Sequence, residues 1–183
     1  MGFVSRAGEK LAYALAVFAI PVTSTICADF GSSTGGFVDC LLQQGARRVY
    51  AVETGYGVLD WKLRNDPRVV VLERTNAMHV TLPERADIIT NDTSWTKQET
   101  IFPNILSNLV QNGVIITLIK PHYEAEASLL HHGTLPEAEA ECIAQQTLER
   151  LVSQGLSVKG FIKSPLLGKK GGNSEYLAYL QKA

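Results

Sequence analysis

The sequence of 183 residues has few cysteines and no marked excess of charge of either sign. Its three cysteines show no spacing typical of a metal site, and an odd number does not complete a set of disulfides, so reduced thiols are expected. The formal net charge of −1 excludes a strong overall positive field that would attract nucleic acid. A local basic face is still compatible with this composition.

The sequence also lacks an apolar run long enough to span a membrane. Residues 11–20 are apolar and follow Arg6 and Lys10, which is the outline of a signal peptide. Apolar side chains recur among them at the spacing of an amphipathic helix, however. In addition, residues 26–30 have the pattern of a strand that leads into a glycine-rich turn. Cleavage at this point would destroy that turn. We therefore predict an N-terminal helix within residues 1–20 of a cytoplasmic protein.

Short apolar segments alternate with longer helical segments along the chain. Strands are predicted at residues 25–30, 48–53, 68–73, 86–91, 113–119, 156–162 and 175–180, and helices at 5–19 (with Ser5 as N-cap), 35–44, 58–65, 97–109 and 136–154. This alternation is typical of a parallel sheet covered by helices on both faces. Since no helix separates the last two strands, one of them is predicted to run antiparallel. Residues 1–183 are expected to form a single domain.

A glycine-rich turn follows the first predicted strand: Asp29-Phe30-Gly31-Ser32-Ser33-Thr34-Gly35-Gly36-Phe37. Gly31 would permit a tight turn, while Gly35 and Gly36 would let a ligand approach the main chain at a helix N-terminus. Ligands of open α/β sheets bind in this crevice. The spacing is not that of a dinucleotide-binding turn, which argues against NAD or FAD. A tight turn without a ligand is the alternative.

Two residues after the next strands support a nucleoside site. Glu53 ends the second strand, where an acidic side chain can accept hydrogen bonds from both hydroxyls of an adenosine ribose. Asn76 follows the third strand, where its amide could contact an adenine edge. A solvated strand end and a plain turn residue are the alternatives. Combined with the turn, however, the two residues favour an adenosine-containing ligand.

Polar residues also follow the fourth and fifth strands. Asp92 lies in the segment Asn91-Asp92-Thr93-Ser94-Trp95, and Lys120 directly follows an apolar strand and precedes Pro121. A lysine after a buried strand is costly unless it has partners or a role, although its stem alone can be buried while its amine reaches water. His131 and His132 are expected to be surface residues, and no metal site is predicted.

Taken in order, these motifs resemble the hemolysin TlyA-type branch of the FtsJ/RrmJ-like ribose 2′-O-methyltransferases. The matching segments are Val4-Ser5-Arg6-Ala7-Gly8-Glu9-Lys10-Leu11, the turn at 29–37, Val49-Tyr50-Ala51-Val52-Glu53-Thr54-Gly55-Tyr56-Gly57, Trp61-Lys62-Leu63-Arg64, Leu72-Glu73-Arg74-Thr75-Asn76-Ala77, Ile119-Lys120-Pro121 and Gly172-Asn173-Ser174-Glu175-Tyr176-Leu177. The resemblance covers nearly the whole chain. It implies an α/β, Rossmann-like class I S-adenosylmethionine-dependent methyltransferase fold, with a seven-stranded, mostly parallel sheet that contains one antiparallel strand.

The resemblance also implies a catalytic tetrad, at Lys10, Asp92, Lys120 and Glu175. The implied reaction is methylation of a ribose 2′-hydroxyl of RNA, with ribosomal RNA as the expected partner. A lysine can act as a base only when neutral, which a second cation favours and carboxylates oppose. We therefore expect Lys120 to be the base or an orienting group, and Lys10 to position the substrate. The expected S-adenosylmethionine-binding residues are Asp29, Gly31, Ser33, Thr34, Gly35, Gly36, Phe37, Glu53, Asn76 and Asp92.

The sequence departs from this branch at several points. The branch usually carries an N-terminal S4-type RNA-binding domain, so this chain is expected to be a shortened form or a stand-alone variant. Glu53 replaces the usual aspartate and Trp95 the usual phenylalanine. Residues 124–141 hold five glutamates and no lysine or arginine, which predicts an acidic loop that weakens RNA binding. The basic residues that could contact RNA are Arg47, Arg48, Lys62, Arg64, Lys163, Lys169 and Lys170.

Two other functions are compatible with the sequence. The first is a methyltransferase that acts on a small molecule or a protein, which the weak net charge and the acidic segment favour. The second is a non-catalytic protein that binds the cofactor or resembles a hemolysin. The sequence does not predict the oligomeric state.

Overall fold

A seven-stranded mixed sheet runs through the computed structural model, which describes residues 2–169 and 171–183. The residue pattern of each strand is mainly apolar, as expected for a sheet covered on both faces. The strands are β1 (Ile26–Phe30), β2 (Arg48–Val52), β3 (Val69–Leu72), β4 (Ala86–Asn91), β5 (Leu109–Ile119), β6 (Leu156–Lys163) and β7 (Tyr176–Lys182).

The strands follow the order β3-β2-β1-β4-β5-β7-β6 across the sheet. Strands β1 to β5 pair in parallel, whereas β7 pairs antiparallel with both β5 and β6. One strand of seven is therefore reversed, which confirms the predicted sheet. The order reverses direction between β1 and β4, so the crevice that suits a ligand lies outside the carboxyl ends of these two strands.

Helices cover both faces of the sheet. They are α1 (Ala7–Val17), α2 (Gly36–Gln43), α3 (Trp61–Arg64), α4 (Gln98–Asn108), α5 (Pro121–Glu124) and α6 (Glu137–Ser153). One apolar core contains side chains of α1, α2 and α3, and the other contains side chains of α4 and α6. Successive strand residues alternate between the two cores; Cys27 belongs to the first and Ala28 to the second.

Three local features differ from the expectation. Ser5 is not the N-cap of α1; Arg6 holds that position, and no side chain among the described residues caps the helix there. The predicted helix 58–65 is reduced to α3, because the Asp60 carboxylate accepts a hydrogen bond from the Lys62 amide at 2.9 Å and caps the helix there. The short helix α5 was not predicted. Pro121 ends the strand but also begins α5, since proline suits the first helical turn.

Helices α1 and α2 pack closely at Gly36. A methyl group on Gly36 would lie 2.3 Å from Ser5 Oγ and 2.9 Å from the backbone nitrogen of Gly8. Backbone atoms cannot rotate away as a flexible side chain can, so α1 would have to move. The position of α1, which carries Lys10, therefore depends on the missing side chain of Gly36.

Gly36→Ala should lower the melting temperature, because the added methyl group overpacks the contact between α1 and α2. Overpacking of this kind costs about 1–3 kcal/mol. Thermal unfolding followed by circular dichroism measures the change. Gly2→Ala is the matched control, since an added methyl group there meets no atom within 4 Å among the described residues. Equal melting temperatures for the two variants would contradict the proposed contact.

Candidate active site

Two adjoining cavities open at the carboxyl ends of β1 and β4. Their volumes are about 300 Å³ and about 100 Å³. Gly31, Ser33 and Asp92 line both, so the cavities meet at these three residues. The larger volume lies at the lower end of the range for small-molecule sites. The crevice predicted from the strand order therefore contains a site of suitable size.

Glu53 lines the larger cavity from the end of β2. One carboxylate oxygen accepts a hydrogen bond from the Ser33 amide at 2.9 Å, and the other accepts one from the Gly55 amide at 2.8 Å. These bonds hold the turn after β1 against the loop after β2. A carboxylate offers about four acceptor positions, so it can still accept hydroxyl groups of a ligand.

Most of the remaining wall of the larger cavity comes from the loops after β3 and β4. Asn76 lies in its wall, and its side-chain oxygen accepts a hydrogen bond from the Met78 amide at 2.9 Å. The remaining lining residues are Val52, Thr54, Thr75, Ala77, Met78, Thr93, Ser94, Trp95, Thr96 and Ile101.

The smaller cavity lies between the glycine-rich turn and the N-terminal segment. Asp29, Thr34, Gly36 and Phe37 line it, as do Ser5, Ala7 and Ser32. Ser5 and Ala7 were not expected there, because their position depends on how α1 packs against α2. No sequence pattern reports that packing.

Asp29 is a buried carboxyl group at the end of β1. Burial raises its pKa from 3.8 to about 8, and the negative charges of Asp92 and Glu53 act in the same direction. The Thr90 hydroxyl donates a hydrogen bond to Asp29 Oδ1 at 2.7 Å, which opposes the rise. Asp29 is therefore mostly protonated at neutral pH.

The glycines of the turn have different roles. Gly31 has a φ angle of 85° and lies against the backbone of Thr93, where a side chain would be crowded. Gly35 also has a positive φ, of 97°, but a methyl group on it would lie 2.3 Å from Leu63 Cδ1. The structure thus places Gly35 against α3, outside the lining of both cavities.

The sheet brings three tetrad residues together at the carboxyl ends of β4 and β5, where β7 begins. Ile119 pairs with Tyr176, so Lys120 and Glu175 extend from the ends of adjacent antiparallel strands. Asp92 follows β4, which pairs with β5 in parallel. Lys10 reaches the same edge from α1 and forms a buried ion pair with Glu175. All four predicted residues are therefore held in two ion pairs, the second of which joins Lys120 to Asp92.

Acceptor atoms surround the amine of Lys120. Its Nζ lies 2.6 Å from Asp92 Oδ1 and 2.9 Å from Ser94 Oγ. The backbone oxygens of Asp92 and Thr93 lie 3.2 and 3.3 Å away. In this arrangement the amine of Lys120 lies against Asp92, which lines both cavities.

An exposed aromatic side chain directly follows Ser94, which contacts Lys120. Trp95 is 81% exposed, lines the larger cavity and has a positive φ of 64°. Its ring contacts that of Tyr123, with 5.0 Å between the centroids, and Tyr123 in turn contacts His122 at 4.2 Å. Three aromatic rings therefore form a row next to the tetrad. The sequence pattern had not singled out Tyr123, because it belongs to the unpredicted helix α5.

The predicted acidic loop at 124–141 is not a single loop. Glu124 ends α5 and is buried, where it accepts hydrogen bonds from the Gln98 amide and from Arg150. Glu137 begins α6 and pairs with Lys163. The other three glutamates of the segment, Glu126, Glu139 and Glu141, are exposed.

Most basic candidates for RNA contacts are already paired. Arg48 pairs with Glu84, Lys62 with Asp39, Arg64 with Glu73 and Lys163 with Glu137. Arg47 and Lys169 are exposed, while Lys170 lies outside the described residues. Among the described residues, no group of three or more His, Cys, Asp or Glu side chains could hold a metal ion. Nor is any described helix long and apolar enough to cross a membrane.

Comparison with known proteins gives consistent matches. Residues 3–182 match the family model of the FtsJ-like methyltransferases. The chain is 40% identical to "Hemolysin A" of Brachyspira hyodysenteriae, over 97% of this chain and 76% of that protein. It is 40% identical to the "16S/23S rRNA (cytidine-2'-O)-methyltransferase TlyA" of Mycobacterium tuberculosis, over 98% and 68% of the two chains. A solved hemolysin-type structure from Lactococcus lactis superposes with a TM-score of 0.95 at 36% identity, over 100% and 90% of the two chains.

Asp29→Asn should flatten the pH dependence of stability. In the unfolded chain Asp29 ionises near pH 4, whereas in the folded protein it keeps its proton to about pH 8. Its contribution to stability is complete below about pH 4 and is lost as the pH rises to about 8. Asparagine does not titrate and can still accept the Thr90 hydroxyl. Urea unfolding from about pH 5 to pH 8 should show a smaller fall for the variant. Parallel curves would contradict the assignment.

Proposed function

The chain belongs to the FtsJ-like methyltransferase family, and on that basis we propose that it methylates a ribose 2′-hydroxyl of ribosomal RNA. The family makes the protein a methyltransferase that depends on S-adenosylmethionine, with a Rossmann-like class I fold. The acceptor is inferred from the Mycobacterium tuberculosis relative, which is named as a ribosomal RNA cytidine-2′-O-methyltransferase. The observation that carries the proposal is the two ion pairs of the predicted tetrad, Lys10 with Glu175 and Lys120 with Asp92, of which Asp92 lines both cavities.

The residues present fit S-adenosylmethionine. The hydroxyl oxygens of Ser32 and Thr93 are buried without a hydrogen-bond partner among the described residues, and each residue lines one of the cavities. Buried polar groups without partners are rare and point to a ligand with polar atoms. Asp29, Glu53 and Asp92 supply carboxyl groups around the same space, which suits a ligand that carries an ammonium and a sulfonium charge.

Each end of the cofactor has candidate partners. In the larger cavity, Glu53 would accept the ribose hydroxyls and Asn76 would contact the adenine edge. In the smaller cavity, Asp29 and the turn residues Gly31, Ser33, Thr34, Gly36 and Phe37 would surround the methionyl group. Asp92 lies between the two and would face the methionyl amine. Gly35 would act indirectly, by letting α3 pack against the turn.

When bound, S-adenosylmethionine supplies an electrophilic methyl group on its sulfonium. The protein must then hold a ribose hydroxyl in line with that group, an alignment that can supply about 7–11 kcal/mol in favourable cases. We expect Lys120 to orient the hydroxyl, because its Nζ lies against the acceptor atoms of Asp92 and Ser94, and Asp92 lines both cavities. To act as the base it would first have to lose a proton and leave these acceptors. Lys10, held by Glu175, would position the substrate.

The row of aromatic rings supports RNA as the acceptor. An exposed tryptophan at the mouth of the site offers a flat face on which an unstacked nucleobase can lie. A methyltransferase that uses ribosomal RNA would work in the cytoplasm. The paired state of most basic side chains implies that stacking, rather than charge alone, contributes to binding.

Glu53→Gln should weaken cofactor binding about 10- to 100-fold, since hydrogen bonds to charged acceptors contribute about 1.5–3 kcal/mol. Isothermal titration with S-adenosylhomocysteine measures the dissociation constant. The matched control is Glu84→Gln, because Glu84 pairs with Arg48 and Tyr50 away from the cavities. Equal affinities for the two variants would exclude Glu53 from the ribose site.

Lys120→Ala should reduce methyl transfer by about 100-fold or more while cofactor binding stays largely intact, because the variant no longer orients the hydroxyl. Transfer of labelled methyl groups to ribosomal RNA measures the first quantity and titration the second. Lys159→Ala on the exposed part of β6 is the control. Full activity of Lys120→Ala would refute the tetrad assignment.

A further inference from the structure

Exposed aromatic side chains also occur away from the tetrad, in the loop after β2 and at the first residue of α3. Tyr56 is 70% exposed and Trp61 is 77% exposed, with the half-exposed Val58 between them. We call this surface, together with Arg74, the aromatic patch. Scattered single apolar residues on a surface need no explanation, but three within six residues do.

Backbone hydrogen bonds hold the aromatic patch in a defined shape. The Gly57 amide donates to the Glu73 carboxylate at 2.8 Å, and the Arg74 amide donates to the Gly55 oxygen at 3.1 Å. The Asp60 amide donates to the Thr34 oxygen at 3.2 Å, which joins the patch to the cofactor turn. The aromatic rings are therefore displayed on a built platform.

Arg74 adds a positive charge to this platform. Its guanidinium lies 4.5 Å from the centre of the Tyr56 ring, as in a cation–π contact. Within the described part of the chain it forms no ion pair, in contrast to the nearby Arg64, which pairs with Glu73. Arg74 also has a positive φ of 51°, which is uncommon for a residue with a side chain.

The position of the patch suits a long substrate. Glu53, Thr54, Thr75 and Asn76 line the larger cavity and belong to the same two loops as the patch. A strand that presents a ribose at this cavity can therefore reach the patch with its neighbouring nucleotides.

We propose that the aromatic patch binds unpaired nucleotides of the RNA substrate, whose bases stack on Trp61 and on the Tyr56–Arg74 pair. This inference rests on the proposed function and names a second contact surface for it. Bases in a duplex are already stacked, so flat side chains of this kind recognise single-stranded segments. The exposed positive charge of Arg74 favours a nucleic acid over an apolar protein surface.

Tryptophan fluorescence can report this contact directly, because the chain has two tryptophans, Trp61 and Trp95. The variant Trp95→Phe leaves Trp61 as the sole tryptophan, and Trp61→Phe leaves Trp95. Each is titrated with a mixed-sequence single-stranded RNA of about twelve nucleotides and with a duplex of the same sequence. Stacking should quench Trp61 with the single strand and much less with the duplex. Quenching confined to Trp95 would overturn the proposal.

Substitutions then test the binding contribution. In the wild-type background, Trp61→Ala should weaken single-stranded RNA binding roughly tenfold or more, and Trp61→Phe should restore most of it. Arg74→Ala should weaken binding and reduce its salt dependence. Tyr13→Ala, an exposed aromatic residue of α1, is the control. Equal RNA affinities for Trp61→Ala and Tyr13→Ala would contradict the proposal. It would also be contradicted if the wild-type protein formed a dimer that Trp61→Ala abolished and Tyr13→Ala did not, because the patch would then bind a second copy of the chain.

The methylation assay separates this proposal from the function on which it rests. If the wild-type protein methylates ribosomal RNA and Trp61→Ala does so with an unchanged KM for RNA, the proposed role of the aromatic patch is wrong, whereas the proposed function stands. If wild-type protein transfers no methyl group to any RNA but single-stranded RNA still quenches Trp61, the proposed acceptor fails instead. The cofactor affinity should be unchanged in Trp61→Ala, because Trp61 lines neither cavity.

Discussion

The buried ion pair between Lys10 and Glu175 is the interaction on which the site depends. It joins the first helix to the residue before the last strand, and both side chains are almost fully buried. Replacing such a pair by apolar residues is often neutral or stabilising, whereas removal of one partner costs about 3–5 kcal/mol. Stability alone therefore does not explain the pair. Because β5 pairs with β7, Glu175 lies next to Lys120. The ion pair is therefore explained as part of a charged site that must keep a fixed geometry.

Carboxyl groups dominate the electrostatics of the crevice. Asp29, Glu53 and Asp92 lie at the ends of adjacent strands. Burial raises the pKa of Asp29, and the negative charges of Asp92 and Glu53 raise it further, so that Asp29 keeps its proton. Such a site favours a cationic ligand, because positive charge relieves the repulsion. The same charges disfavour a polyanion, which is why the RNA contacts that we propose are aromatic. The cationic methyl donor thus requires negative charge in the site, whereas the anionic RNA is repelled by it. Carboxyl groups serve the donor, and the aromatic side chains that we propose serve the RNA.

Much of the fold could be predicted from local patterns. Apolar strands alternating with helices predict the parallel sheet, and the missing helix between the last two strands predicts that one of them is reversed. Features that depend on packing could not be predicted. The pairing within the tetrad follows from strand register, the crowding of Gly35 follows from α3, and the burial of Glu124 follows from its contact with Arg150. A charged residue in sequence carries no sign of whether its partner is water or another buried group.

The central claim is that the protein modifies a ribose 2′-hydroxyl of ribosomal RNA. The most direct measurement is mass-spectrometric mapping of 2′-O-methyl groups in ribosomal RNA. It compares cells with the gene, cells in which the gene is deleted, and gene-deleted cells that express the Lys120→Ala variant instead. The account predicts at least one methylated ribose that disappears with the gene and does not return with the variant. Identical methylation maps in all three would contradict it.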